Sequence, residues 1–162
     1  MKNNYMTEHK YIESYNNNNI NVCILIPGFI KNYHFLDEIK RKLNKLSGIN
    51  FYIFGHIFSY MICPSMNKEK ITYSQNNSEI LNVDKISSFF TKFSFIDNNL
   101  YKKYDDDGYD NRIYSQWSNF KKSYELYLGF SNKNNLNADI FIKFRSDLDF
   151  DENLLYKYVK AS

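Results

Sequence analysis

The residues of this chain best suited to chemistry stand close together near its end, in the stretch ADIFIKFRSDLDFDENLL. A short apolar run leads to Arg145, and then Asp147, Asp149 and Asp151 follow at alternate positions. Two carboxylates two residues apart, just past a strand, can share one hard divalent cation, because such ions prefer oxygen ligands. The cation can neutralise a diphosphate, which is what turns a nucleotide into a leaving group. A local explanation competes with this one. Aspartates at a helix start accept hydrogen bonds from free backbone N–H groups and suit the helix's positive end. That explanation fits Asp151 better than Asp147 and Asp149, which lie at the end of the predicted strand before any helix begins. In open α/β sheets, that edge is where ligands bind.

The elements that must position these acids are legible in part. NVCILIPGF is a continuous apolar run of the kind a strand buried on both faces shows, stopped by Pro27 and Gly28. YHFLDEIKRKLNKL places Phe35/Leu36, Ile39, Leu43 and Leu46 on one helical face, and Ser47-Gly48 closes it. INFYIFGHIF is a second strand. Strand, helix, strand is the opening unit of an α/β fold. NVDKISSFFTKF predicts a short helix with Asn82 or Asp84 near its cap. RIYSQWSNFKKSYELYLGFSNK predicts a longer one, with Ile113, Trp117, Phe120/Lys121, Tyr124 and Tyr127/Leu128 on one face and Gly129 near its end. ADIFIKF is the third predicted strand and DENLLYKYV the last helix. The fold class expected is a three-layer, Rossmann-like α/β domain with a mostly parallel sheet flanked by helices.

Composition bounds the function. The chain has 162 residues, 19% of them aromatic, which favours a folded single domain with an aromatic-rich core and cleft. We expect residues 1–20 to be a polar, flexible leader and residues 21–162 to form the domain. Asparagine runs such as YNNNNIN read as loop filler. The net charge of +3 comes with no dense basic stripe, so nucleic acid is not an expected partner. Cys23 and Cys63 make neither a metal spacing nor a disulfide framework, which points to a reduced, cytoplasmic setting. No apolar stretch approaches the roughly 20 residues of a membrane span.

The tail resembles a segment of the GT-A-type nucleotide-sugar glycosyltransferases linked to surface polysaccharide and lipopolysaccharide synthesis. Asp139, Ile140, Ile142, Lys143, Arg145, Asp147 and Leu148 match, in order, the pattern of a strand running into the D-x-D motif of those families. YSQWSNFKKSYELYLGFS is similar to the helix before that strand. VCILIPGFIKNYHFLDEIKRKL looks like their opening strand, glycine turn and first helix, with Gly28 and Lys31 in place, although Arg is commoner at the second position. Phe54 and His56 stand where their second strand often ends in an aromatic residue and a histidine. The resemblance runs from about Val22 to Asp151, and its front block and tail carry it.

The resemblance implies a domain, in effect a glycosyltransferase or its donor-binding half, that binds a nucleoside diphosphate sugar through Mn²⁺ or Mg²⁺. Asp147 and Asp149 would face the metal and the donor diphosphate, with Asp149 the better ligand. Arg145 would pair with a donor phosphate, or else form an ion pair with Asp147 or Asp149 that fixes the loop. Gly28 would let the backbone approach the ligand, or serve a plain Pro-Gly turn. Lys31 would meet the phosphates as a point charge or stay solvated. His56 would line the site or simply be hydrogen-bonded in place. Tyr114 and Trp117 could stack a base or sugar, but their helical spacing favours core packing. Asp105 to Asp107 and Asp110 read as a solvated loop rather than a second metal site.

Relative to that family the sequence is truncated after its D-x-D motif, where an acceptor-binding segment and a catalytic base are usual. An inverting reaction would then draw its base from an upstream acid. A glycosyltransferase-like interaction module without catalysis is therefore the alternative. A phosphatase that uses the first Asp of D-x-D as nucleophile is a poorer fit, because Asp151 stands where such enzymes carry Thr or Val. The acceptor is a glycan or another hydroxyl compound.

Overall fold

The computed structural model describes residues 19–30, 33–62, 78–96, 110–145 and 151–161. Strand β1 (Ile20–Gly28) leads through α1 (Tyr33–Leu43) to β2 (Ile49–Ile57). Two short strands, β3 (Tyr60–Ile62) and β4 (Ser78–Ile80), pair antiparallel beside the main sheet. Helix α2 (Val83–Ser87) precedes β5 (Lys92–Phe95), and the long α3 (Asp110–Asn134) returns the chain to β6 (Ile140–Lys143). Helix α4 (Glu152–Ala161) follows.

The main sheet has the order β5-β2-β1-β6, and every pairing in it is parallel. This is the expected Rossmann-like α/β architecture. Strand β1 lies between two neighbours and is buried from Val22 to Ile26, which is why its sequence is apolar without alternation. Val22, Ile24 and Ile26 face one way, onto Leu36, Ile39 and Leu43 of α1, Ile86 of α2 and Val159 of α4. Cys23 and Leu25 face the other way, with Phe54 of β2, onto Leu126 and Tyr127 of α3. Burial pushes the Cys23 thiol up to about 12, so it acts as a small apolar group rather than a nucleophile.

Three local expectations change. SFFTKF does not complete a helix. Asn82 caps α2 by accepting the Asp84 and Lys85 N–H groups, α2 ends at Ser87, and the following residues form β5. The β2 edge decides this, because Thr91 and Ile96 donate to the Ile53 and Ile57 carbonyls at 2.8 Å each. Gly129 does not end α3; the helix runs on to Asn134, and Asn135 leaves it in the left-handed region at φ 52°.

The third change concerns which face of α3 is buried. Asn119, Ser123, Leu126, Tyr127 and Ser131 are inside, whereas Trp117 is 59% exposed and Tyr124 and Leu128 are also exposed. The core stripe therefore includes small polar residues, because α3 crosses strand backbone that offers hydrogen bonds. The Ser123 hydroxyl accepts the His56 N–H at 2.9 Å while donating to the Asn119 carbonyl. Core packing is thus not the role of Trp117. The side chains of Ile113 and Tyr114 lie outside the described residues, as do residues 1–18 of the expected leader, whereas Ile20 already belongs to β1.

Candidate functional site at the carboxyl edge of the sheet

The order of strands decides where a ligand can enter. From β1 the chain moves outward through β2 to β5, then crosses back to place β6 on the other side of β1. The direction of winding reverses at β1: α1 and α2 cross on one face of the sheet, whereas α3, which leads into β6, crosses on the other. Such a reversal is the topological switch point of the sheet, the edge at which open α/β folds bind ligands.

Register lines up the residues of that edge. His56 is paired with Pro27 on one side and Ser94 on the other. Leu25 is paired with Lys143, and the Phe144 N–H still donates to the Leu25 carbonyl at 2.9 Å, so Arg145 comes opposite Pro27. Gly28 stands one residue beyond Pro27. Gly28, His56 and Arg145, expected from sequence to share a site, therefore meet at one sheet edge. Lys31, Asp147 and Asp149 lie outside the described residues, as does Asp105 to Asp107.

Gly28 has φ +96°, which only glycine adopts without strain, and a Cβ built on it would meet nothing within 4 Å among the described residues. The glycine is thus demanded by the backbone turn rather than by a close neighbour among the described residues. Its carbonyl accepts the Phe58 N–H at 3.1 Å, which ties the end of β1 to the end of β2. Beside it, Phe29 stacks on Phe58 with ring centroids 4.0 Å apart.

His56 is held from two directions. Its backbone donates to Ser123 of α3, and its Nδ1 lies 2.8 Å from the Ser94 hydroxyl of β5. Its pKa is lowered to about 4, first by burial and then by Lys122, with Glu125 opposing. The imidazole is therefore neutral at pH 7 and offers a hydrogen bond rather than a charge. Ser94 and Ser123 were not singled out from sequence. A serine in an alternating stretch such as TKFSFI, or on the inner face of KKSYEL, gives a weak signal that only the pairing of β2 resolves.

Asp151 does what the local explanation expects of it. Its Oδ1 accepts the Asn153 and Leu154 N–H groups at 2.8 and 3.1 Å, capping α4. Asp139, at the opposite end of β6, accepts the Asn21 N–H at 2.7 Å and fixes the start of the strand against β1. Among the described residues, no three His, Cys, Asp or Glu side chains group to hold a metal.

Comparison with known proteins finds no matching family model, no matching curated protein and no matching solved structure. The site is therefore read from its own geometry. Among the described residues, no helix is long and apolar enough to cross a membrane.

The lowered pKa of His56 makes a testable statement about stability. The unfolded chain takes up this proton near 6.5 and the folded chain only near 4, so between those values the unfolded state holds more protons. Stability contributed by neutral His56 is complete above the higher value and is lost as pH falls toward the lower one. With its partial exposure discounted, the loss is about 2 kcal/mol. Urea unfolding from about pH 7 to pH 4 should show His56→Asn losing less stability than the parent by that amount. Parallel acid limbs in the two proteins would refute the assignment.

Proposed function

We propose that this chain is a nucleotide-sugar-binding domain of glycosyltransferase type, taking a nucleoside diphosphate sugar and a divalent cation at the carboxyl ends of β1 and β6. The observation that supports this reading is the switch point between those strands. It lies beside the turn at Gly28, and β6 leads from it directly into the segment carrying Arg145, Asp147 and Asp149. In this reading Asp147 and Asp149 hold the metal, Arg145 faces the diphosphate and neutral His56 hydrogen-bonds the donor. The metal, when bound, supplies positive charge that neutralises the diphosphate.

Calorimetric titration with UDP and with GDP, each in the presence and absence of Mn²⁺, tests the proposal. Binding should require the metal, and Asp149→Ala should weaken it roughly tenfold or more. A stably folded protein that gives no heat with either nucleotide would point instead to the non-catalytic interaction module.

A further inference from the structure

The exposed Trp117 is out of keeping with the rest of α3. The helix runs antiparallel to the strands, with Phe130 beside Tyr52, Tyr127 beside Phe54 and Ser123 beside His56. Trp117 is six residues nearer the helix start than Ser123, which carries it about 9 Å further along the axis. It therefore overhangs the carboxyl edge instead of covering the sheet. Lys143 of β6 reaches up to it, with its ammonium 5.0 Å from the indole centroid and 5.5 Å from that of Phe120. Trp117 meets Phe120 edge-on at 5.9 Å, which sets the indole's orientation and leaves it 59% exposed.

We propose that Trp117 and Lys143 form the nucleobase-recognition end of the site, the indole stacking the base and the ammonium meeting the adjoining phosphate. This rests on the nucleotide-binding reading and assigns residues within it that the D-x-D segment does not supply. Charge selects the ligand class. Of the described lysines along this part of α3 and β6, Lys122 pairs with Glu125 at 2.7 Å, which leaves the ammonium groups of Lys121 and Lys143. The remainder is positive, which favours an anion over a neutral glycan. A flat ring joined to a phosphate satisfies both partners together. The base replaces the ammonium on the indole face, and the flexible lysine stem carries the charge to the phosphate.

Trp117 is the single tryptophan of the chain, so its fluorescence reports on this spot alone. Titrating the full chain with UDP or GDP plus Mn²⁺ should quench that emission in step with the calorimetric binding curve, while pyrophosphate plus Mn²⁺ leaves it unchanged. Trp117→Leu should weaken nucleotide binding about tenfold with its melting temperature preserved. Lys143→Met should cost about two- to fivefold and reduce the salt dependence. Calorimetric binding with unaltered emission and full affinity in Trp117→Leu would overturn this inference and leave the proposed function standing. Quenching by pyrophosphate alone would also overturn it. Neither heat nor quenching with any nucleotide would remove both.

Discussion

Replacing Phe54 by alanine is expected to lower the unfolding free energy by about 4 kcal/mol. For a chain of this length, that is a fall in melting temperature of roughly 10 °C. Phe54 is fully buried in the middle of β2, where its ring meets Tyr127 and Phe130 of α3 at 5.7 and 5.6 Å, both edge-on. Among the described residues, the other buried apolar groups on this face are Cys23, Leu25, Leu126 and Tyr127. This is the smaller of the two apolar layers, so one lost ring removes a large share of what clamps α3 to the sheet. The site feels the change as well, because α3 carries both the Ser123 hydroxyl that holds His56 and the indole that overhangs the edge. Thermal and urea unfolding measure the first effect. A loss below about 1.5 kcal/mol would mean that α3 is held by something other than this contact.

The same region shows what the sequence could and could not convey. Strands β1 and β2 and helix α1 were readable because apolar pattern directly records burial: β1 is buried from Val22 to Ile26, and α1 buries the one face that carries Leu36, Ile39 and Leu43. The shared location of Gly28, His56 and Arg145 was readable as well: they end or follow strands, and parallel pairing is enough to bring such residues to one edge. Helix α3 was readable as a helix but not in its rotation. Its inner face uses Asn119, Ser123 and Ser131, whose value lies in hydrogen bonds to particular neighbours, while its outer face keeps Trp117, Tyr124 and Leu128. A hydrophobicity pattern therefore places Tyr127 and Phe120 correctly but turns Trp117 and Tyr124 inward, and with that assigns Trp117 to core packing. Strand β5 was missed for a related reason. Phe89, Phe90 and Phe93 suit a helix or a strand equally well, and the choice is made by the waiting edge of β2.

The opposite face of β2 leads to a second expectation of similar size. Gly55 lies between Phe54 and His56, and a Cβ built on it would come within 2.5 Å of Phe90 Cε1 and 3.0 Å of its Cζ. Phe90 cannot easily withdraw, since it is buried against Phe89 at 5.0 Å and Phe93 at 5.6 Å. Gly55→Ala should therefore destabilise the fold by about 2–3 kcal/mol through overpacking. Shrinking the obstacle tests the cause. Phe90→Leu alone should cost about 1 kcal/mol, and the double variant should lose clearly less than the sum of the two singles. Strict additivity would show that the backbone of β2, rather than this ring, excludes a side chain at position 55. If the ring is the cause, the alanine pushes β2 away from α2 just one residue before His56. On the proposed function, the restored double variant should then recover nucleotide affinity together with stability, which would tie the packing beneath the sheet to the edge above it.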